Sequence, residues 1–239
     1  MTITKYKINM ILGLTFFAAL TGFPAECKMI HIYRKSSEKS TILMRHVDIA
    51  IILEAAGNSS RYGSNKLLHI MEDGRPMVCR MLDNARAQDP SRLILVTQYE
   101  EVVSLAPDFQ IVMNHHPELG ISRSMQLGIE AAGDADAYMF CVCDQPWLTP
   151  ATVGRLIEEY RSGKAGIVSL AWQGKMCNPK IFSSRYREEL MSLTGDTGGR
   201  QIISSHPDDL LLVEAASIEE TMDIDRPIHT ASTHSVSGE

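Results

Sequence analysis

The hydrophobic positions of this chain fall into short blocks that are separated by polar turns. Apolar runs typical of strands that are buried on both faces occupy residues 47–53, 92–97, 110–113, 137–142 and 166–171. Apolar residues recur at helical spacing in residues 77–87, 122–132 and 150–160. Because strands and helices alternate, the pattern predicts an α/β fold with a doubly wound, mostly parallel sheet. Ligands of such sheets bind in the crevice beyond the carboxyl ends of the strands.

The length of the chain, 239 residues with 44% hydrophobic content, suffices for one full core. We expect one folded domain at residues 44–230 and a frayed tail at 231–239. An apolar run after Lys5 and Lys7 resembles a secretory signal, but it is short for a membrane span and no clean cleavage site follows it. We therefore expect residues 1–43 to be a poorly ordered extension, with Met44 as a plausible start. Export of a mature chain that begins near Cys27 is the alternative.

Charge and cysteine usage narrow the function classes. A formal net charge of −6 argues against a protein that coats nucleic acid, because phosphate binding over a large surface needs a basic excess. The five cysteines are odd in number and form no CxxC pair, so they indicate neither a disulfide framework nor a thiolate zinc site. Cys141 and Cys143 are expected to be core residues on one face of a strand. We expect a cytoplasmic protein without a membrane or nucleic-acid partner.

The segment that follows the first predicted strand, Ala55 to Lys66, has the composition of a polyphosphate-binding loop. Gly57 and Gly63 allow the backbone to approach a ligand closely, so that consecutive amides can face phosphate oxygens. Arg61 and Lys66 add positive charge at the same place. The segment lacks the Gly-Lys-Ser/Thr ending of a P-loop and the tighter glycine spacing of a dinucleotide-binding fingerprint. It predicts a triphosphate site of another kind.

Two acidic segments offer oxygen ligands for a divalent cation. Asp144 follows the strand predicted at 137–142, and Pro146 fixes the turn after it. Asp223 and Asp225 are two residues apart, so both carboxylates point the same way if the backbone there is extended. Since Mg²⁺ prefers oxygen ligands together with phosphates and water, Asp144 is the first candidate ligand. For residues 223–225, an ordinary solvated acidic turn is the alternative.

These segments resemble a known family. Residues 55–66 resemble the AAGxSxRxGxxK signature of nucleotidyltransferases that join a nucleoside triphosphate to a phosphorylated acceptor, and they are similar in detail to the molybdenum cofactor cytidylyltransferases. The guanylyltransferase branch usually has Ala-Gly-Gly where this chain has Ala-Ala-Gly. Residues 143–150 and 223–227 resemble the family's two acidic motifs, and the likeness extends over about residues 47–227. Glu54, Cys177 and Arg226 depart from the family's pattern.

The resemblance implies a function for the chain. It implies a Rossmann-like three-layer sandwich that transfers CMP from CTP to the terminal phosphate of a molybdopterin-type cofactor and releases pyrophosphate. The implied metal is Mg²⁺, for which Mn²⁺ can substitute, and the implied protein partner is an acceptor molybdoenzyme or its chaperone. A different phosphorylated acceptor, such as a sugar phosphate, and guanylyl transfer to the cofactor are alternatives. A protein that only binds nucleotide or cofactor is an alternative from another class.

The resemblance also assigns roles to individual residues. The catalytic residues are Arg61, Lys66 and Asp144, and the metal ligands are Asp144 and Asp225, with Asp223 as a second choice. The nucleotide-binding residues are Ala55, Ala56, Gly57, Asn58, Ser59, Ser60, Arg61, Gly63, Lys66, Asn114, Gly120, Ser122 and Ser124. Three residues in predicted loops are candidates for the acceptor site: Asn178, Pro179 and Arg200. Without the family, residues 114–124 would be the start of a helix that Ser122 caps, and Arg200 a solvated side chain.

Overall fold

A seven-stranded sheet is the centre of the structure, a computed structural model that describes residues 47–58 and 62–226. The strands are β1 (Ile49–Ala55), β2 (Arg92–Thr97), β3 (Gln110–Met113), β4 (Ala137–Val142), β5 (Ile167–Trp172), β6 (Lys175–Ser183) and β7 (Leu210–Glu214). Their order is β3-β2-β1-β4-β6-β5-β7. Within these described ranges β6 alone runs antiparallel to its neighbours, so the prediction of a mostly parallel sheet is confirmed.

Helices cover both faces of this sheet. In the described part of the chain they are α1 (Val78–Arg86), α2 (Glu100–Val103), α3 (Ile121–Ala132), α4 (Pro150–Arg161), α5 (Arg187–Ser192) and α6 (Arg200–Ser205). Successive side chains of a strand point to opposite faces. In β1, Ile51 therefore packs in the core that α1 and α4 cover, and Ile52 packs in the core that α3, α5 and α6 cover. The result is the doubly wound sheet that the alternation of elements predicted, in the three-layer sandwich that the resemblance implied.

The predicted elements agree with the observed ones where the apolar pattern is strong. The bounds of β2, β3 and β4 are those predicted, α3 and α4 differ from their predictions by one residue at one end, and α1 differs by one residue at each end. Cys141 and Cys143 are each 1% exposed and lie in the core, as expected. Two strands, β6 and β7, were not predicted, because a short apolar run such as Leu210–Glu214 does not distinguish a strand from a piece of helix.

One prediction was wrong. Cys177, Asn178 and Pro179 do not form a loop but lie within β6. The ladder to β5 shifts register between Ser169 and Ala171, which pair with Lys180 and Met176. This irregularity accommodates Pro179, which has no N–H to donate to a regular ladder.

Several predictions concern residues outside the described ranges. These are the extension at residues 1–43, Met44, the tail at 231–239, and Ser59, Ser60 and Arg61 of the phosphate loop. The boundaries of the domain expected at residues 44–230 therefore stay predictions. Within residues 47–58 and 62–226, none of the helices has the length and apolar character needed to cross a membrane.

Candidate functional site

The carboxyl ends of β1 and β4 bring two of the predicted segments side by side. The two strands pair from Ile49 opposite Ala137 to Glu54 opposite Val142, so the phosphate loop and the segment that begins at Cys143 leave the sheet together. A cavity of about 560 Å³ opens at this edge. Its walls include Ala55, Ala56, Gly57, Asn58, Lys66, Gly120, Ser124, Asp144 and Asp225. We call it the first cavity, and it lies where doubly wound sheets bind their ligands.

The first half of the phosphate loop is tied to the turn after β2. Gln98 Nε2 donates hydrogen bonds to the carbonyl of Ala56 at 2.8 Å and to Asn58 Oδ1 at 3.0 Å. Tyr99 donates from its hydroxyl to the carbonyl of Gly57 at 2.7 Å. These bonds fix the course of the loop along the cavity. Sequence reasoning missed Gln98 and Tyr99, although polar residues directly after a parallel strand were a signal that could have identified them.

The second half of the loop turns back at Gly63 and ends in a short 3₁₀ helix. Gly63 has a backbone φ of +79°, which residues other than glycine rarely adopt. The turn at this position therefore requires glycine. The 3₁₀ helix, Lys66–Leu68, begins after Asn65, whose Oδ1 accepts a hydrogen bond from the amide of Leu67 at 3.1 Å. This cap places Lys66 at the first position of the helix, on the wall of the cavity.

Lys66 joins three segments that are far apart in sequence. Its Nζ donates to Asp144 Oδ2 at 2.7 Å and to Asp225 Oδ1 at 3.3 Å. The side chain of Lys66 is 13% exposed, and those of Asp144 and Asp225 are 20% and 57% exposed. Burial lowers the pKa of Lys66, but the hydrogen bonds and charges of the two carboxylates outweigh it and raise the pKa above its ordinary value. Lys66 is therefore an ammonium ion in this site.

The two acidic segments are held together by bonds that the sequence did not reveal. The amide of Ile224 donates to the carbonyl of Asp144 at 3.0 Å. Gln145, which is 2% exposed, donates from Nε2 to Asp223 Oδ1 at 2.8 Å. Asp223 therefore accepts a hydrogen bond from Gln145. The pKa of Asp223 is raised above its ordinary value, and burial is the largest cause. Asp225 is the carboxylate of this pair that reaches Lys66.

The carboxylate oxygens of Asp144 and Asp225 suit a hard divalent cation that binds together with a polyphosphate. Among the described residues, no group of three or more His, Cys, Asp or Glu side chains is arranged to hold a metal. Mg²⁺, however, is usually bound by one or two carboxylates together with substrate phosphates and water. Asp144 Oδ1 is buried without a hydrogen-bond partner, which is unfavourable unless a cation or water contacts it. Asp144 and Asp225 therefore fit such an ion.

Of the predicted nucleoside-contacting residues, Asn114 directly follows β3, and Gly120, Ser122 and Ser124 lie at the start of α3. Asn114 is 1% exposed and donates from Nδ2 to Ser124 Oγ at 3.1 Å, so both side chains are already engaged with each other. The alternative in which Ser122 caps the helix is wrong. The N-cap is Gly120, without a side-chain cap, and the amide of Ile121 donates to Asp196 Oδ1 at 3.1 Å. The carboxylate from a distant loop satisfies the helix end instead.

A second cavity, of about 610 Å³, contains two of the three predicted acceptor residues. Asn178 and Arg200 are part of its wall, whereas Pro179 is not among the residues that line it. Glu54, Ile121 and Asp196 line both cavities. Lys180, which sequence reasoning did not select, also lines the second cavity, and its Nζ donates to Asn178 Oδ1 at 2.6 Å.

Comparison with known proteins identifies the domain. The family described as MobA-like NTP transferase domain matches residues 50–210. The chain is also similar to the bifunctional protein GlmU of Burkholderia orbicola, at 28% identity over 128 residues, and to that of Cupriavidus necator, at 28% over 125 residues. These alignments cover 52% and 50% of this chain but only 28% and 27% of those relatives.

Solved structures share the fold. Rv0371c from Mycobacterium tuberculosis H37Rv has a TM-score of 0.64 at 24% identity, covering 75% of this chain and 94% of that chain. A nucleotidyl transferase from Methanothermobacter thermautotroptrophicus has a TM-score of 0.65 at 22% identity, covering 75% and 92%. A CMP:2-keto-3-deoxy-manno-octonic acid synthetase complexed with CTP has a TM-score of 0.57 at 15% identity, covering 71% and 90%. At these identities the likeness shows the nucleotidyltransferase-type α/β fold.

Proposed function

Because the chain belongs to the family of MobA-like NTP transferase domains, we propose that it transfers a nucleotidyl group from a nucleoside triphosphate to a phosphorylated acceptor and releases pyrophosphate. One observation carries this proposal. Lys66, Asp144 and Asp225 come from three separate segments, Lys66 contacts both carboxylates, and all three residues line the first cavity beside the glycine-containing loop. Catalysis of nucleotidyl transfer depends on positioning the two phosphates and on stabilising the negative charge of the transition state. Charged side chains arranged in this way can do both.

The reaction needs no covalent enzyme intermediate. An oxygen of the acceptor phosphate attacks the α-phosphorus, a new P–O bond forms, and the bond to the β-phosphate breaks with the electron pair leaving on pyrophosphate. A divalent cation, when bound, would neutralise part of the negative charge on the phosphates. Asp144 and Asp225 would hold that ion. Lys66 would then contact the departing phosphates, and we propose the same role for Arg61.

Finer features of the proposal come from the sequence and from relatives. We propose CTP as the donor, on the strength of Ala55-Ala56-Gly57, and a molybdopterin-type cofactor as the acceptor, with a molybdoenzyme or its chaperone as the partner. A structural relative was solved with CTP and another, Rv0371c, with manganese, which supports a CTP and Mg²⁺ or Mn²⁺ requirement. Cys79, Cys141, Cys143 and Cys177 are free thiols, which supports a reducing, cytoplasmic compartment.

A pyrophosphate-release assay tests the proposal. The purified chain is incubated with Mg²⁺ and each of the four nucleoside triphosphates, with and without molybdopterin cofactor. We expect release with CTP that depends on the acceptor. Preference for GTP would indicate guanylyl transfer, and release only with a sugar phosphate would identify a different acceptor. Binding of nucleotide without release under every condition would contradict the enzyme proposal.

Replacement of the charged groups tests their roles. We expect Lys66→Ala and Asp144→Asn each to lower turnover about a hundredfold or more, because each removes a charged contact that is strongest in the transition state. Lys164→Ala is the control. This exposed lysine pairs with Glu159 and precedes β5, at the edge of the sheet opposite to the site. Near-normal turnover in both site variants would refute these roles.

A further inference from the structure

Two carboxylates of the last described segment, Asp223 and Asp225, are both close enough to the site to act in it. Burial is the largest influence on the pKa of Asp223 and raises it, whereas the hydrogen bond from Gln145 lowers it. The charges of Asp144, Asp225 and Lys66 also act on this carboxylate. The carboxylate that accepts from Lys66 Nζ, at 3.3 Å, is nevertheless that of Asp225. The structure thus distinguishes two carboxylates that are equivalent in charge.

The side chain of Gln145 makes this distinction. It is 2% exposed, and its Nε2 donates to Asp223 Oδ1 at 2.8 Å and to the carbonyl of Thr221 at 3.4 Å. An amide nitrogen carries two N–H groups, so both are used. The bond to Asp223 is the stronger one, because it is shorter and its acceptor is charged. Asp223 is therefore held against the turn that follows β4.

The backbone beside Gln145 provides a further attachment. The amide of Ile224 donates to the carbonyl of Asp144 at 3.0 Å, and the side chain of Ile224 is buried. Two consecutive residues of the turn after β4 therefore hold the segment 221–224 through side chain and backbone. Asp225 is the first carboxylate beyond these attachments, and it lines the first cavity together with Asp144.

The oxygen of the Gln145 amide indicates why this position carries a glutamine. Among the described residues, Oε1 is buried without a hydrogen-bond partner, which is unfavourable for stability. Reversing the amide would place this oxygen against two other acceptors, Asp223 Oδ1 and the carbonyl of Thr221, so the observed orientation is the only favourable one. A buried group that lowers stability through one atom is expected where its other atoms serve a site.

We propose that Gln145 is a positioning residue that selects the second carboxylate of the site: it holds Asp223 to the turn after β4, so that Asp225 faces Lys66 and a divalent cation. This inference rests on the proposed function, because it concerns the metal that the site would hold. Gln145 is not among the residues that line either cavity, so it acts through the two aspartates. Without its N–H groups, Asp223 competes with Asp225 for the same cation.

Titration of the whole chain with Mn²⁺ alone, followed by electron paramagnetic resonance, tests which carboxylate the metal uses. When Gln145 is present, we expect Asp225→Asn to weaken Mn²⁺ binding about tenfold more than Asp223→Asn does, because Asp225 is the ligand and Asp223 is held elsewhere. Met is similar in length to Gln but has no N–H to donate. In the Gln145→Met background we therefore expect the two Asn substitutions to weaken binding equally, to within about twofold.

Gln126→Met is the matched control. The Nε2 of Gln126 also donates to two oxygens of a distant segment, the carbonyls of Met191 at 3.0 Å and Leu193 at 2.9 Å, but Gln126 lines neither cavity. We expect the Gln126→Met background to keep the preference for Asp225, whatever stability it loses. Urea unfolding of both glutamine variants measures that loss separately from metal binding.

Gln145→Asn provides the same test if Gln145→Met does not fold. It keeps an amide at this position but is one methylene shorter, so we expect it to lose the bond to Asp223 and with it the preference for Asp225. A preference for Asp225 that persists without Gln145 would overturn the inference and show that Gln145 supports only the fold. A larger effect of Asp223→Asn than of Asp225→Asn in the presence of Gln145 would also overturn it, as would absence of Mn²⁺ binding to the wild type.

The inference and the proposed function fail in different ways, because the Mn²⁺ titration involves no reaction. If the chain releases no pyrophosphate with any nucleotide but Gln145 decides which aspartate binds Mn²⁺, the site is a metal site of a protein that is not a transferase. If it releases pyrophosphate but the preference for Asp225 does not depend on Gln145, the enzyme proposal stands and another contact selects the carboxylate.

Discussion

Lys66 lies where a divalent cation would be expected. Its ammonium group contacts both Asp144 and Asp225, at 2.7 and 3.3 Å. Because an ammonium ion and a metal ion cannot occupy the same space, binding of the metal to both carboxylates requires Lys66 to move towards the phosphates. In the absence of nucleotide the lysine and the metal therefore compete for the same two side chains.

This competition leads to a prediction about metal affinity. We expect Lys66→Met to bind Mn²⁺ more tightly than the wild type in the absence of nucleotide, by about tenfold, since an attraction of about 1–4 kcal/mol between each close pair of charges is removed. Turnover should fall at the same time. Mn²⁺ binding is measured by electron paramagnetic resonance titration, with Arg80→Met as the control, because Arg80 pairs with Asp73. Weaker Mn²⁺ binding in Lys66→Met would show that the lysine supports the metal site instead.

Glu54 gives a prediction for stability as a function of pH. Its pKa is raised from 4.5 to about 8 by burial, so the folded state holds a proton that the unfolded state releases. The stabilisation from this group is complete below pH 4.5 and is lost as the pH rises to about 8. We expect the free energy of unfolding of the wild type to fall, relative to Glu54→Gln, across this interval. Urea unfolding of both proteins at several pH values measures this difference. If the free energies of unfolding of wild type and Glu54→Gln changed with pH in parallel, Glu54 would ionise normally in the folded protein.

At the scale of elements, the start of α3 is positioned by the loop at residues 195–196. Gly120 has φ +84°, and a Cβ there would lie 2.5 Å from the backbone carbon of Gly195 and 2.6 Å from Asp196 Oδ1. The amides of Ile121 and Ser122 bond to this same loop. Glycine is therefore needed for both its backbone conformation and the close approach, and the contact connects the two cavities.

Gly120→Ala tests this contact. Gly163 is the matched control because it also has a positive φ, +72°, but open space where a Cβ would be. We expect Gly163→Ala to lose about 1 kcal/mol through backbone strain alone, and Gly120→Ala to lose about 2–4 kcal/mol because the clash is added. Gly120→Ala should also raise the KM for the nucleotide. Equal losses in urea unfolding would indicate that the loop moves aside without resistance.

At the scale of the whole molecule, a buried carboxylate ties the last described segment to the start of α4. Glu220 is 2% exposed and accepts hydrogen bonds from Thr149 Oγ1 at 2.6 Å, Thr152 Oγ1 at 2.8 Å and the amide of Ala216 at 2.8 Å. Burial raises its pKa, but these bonds outweigh that effect and lower it. Glu220 thereby holds the chain that leads to Asp225 against the start of α4, and it acts as a positioning residue.

We expect Glu220→Ala to lose about 3 kcal/mol of unfolding free energy, because the buried hydroxyl of Thr152 and two partly buried donors lose a charged acceptor. It should also weaken Mn²⁺ binding in the presence of CTP, since Asp225 is no longer held near Asp144. Glu219→Ala, at the exposed neighbouring position, is the control. If Glu220→Ala folds less stably but binds Mn²⁺ and CTP normally, the carboxylate supports only the fold.

The sequence by itself determined the main strands, the helices between them and the segments that carry the chemistry. Those features depend on local properties: apolar runs such as 137–142, glycines such as Gly63, and a charged residue where a strand ends. It also marked Lys66, Asp144 and Asp225 as candidates. It missed Gln145, Lys180 and Glu220, because nothing near them in the chain shows that they face a cavity or a distant segment.

Only the tertiary structure decided which of these groups meet. Lys66 contacts residues 78 and 159 positions away, and such contacts follow from the order and direction of strands, not from local pattern. The placement of Asn178 in a strand and of Glu54 beside a second cavity was decided in the same way. Local periodicity determines which face of an element is buried, whereas the packing of the sheet determines which side chains share a site.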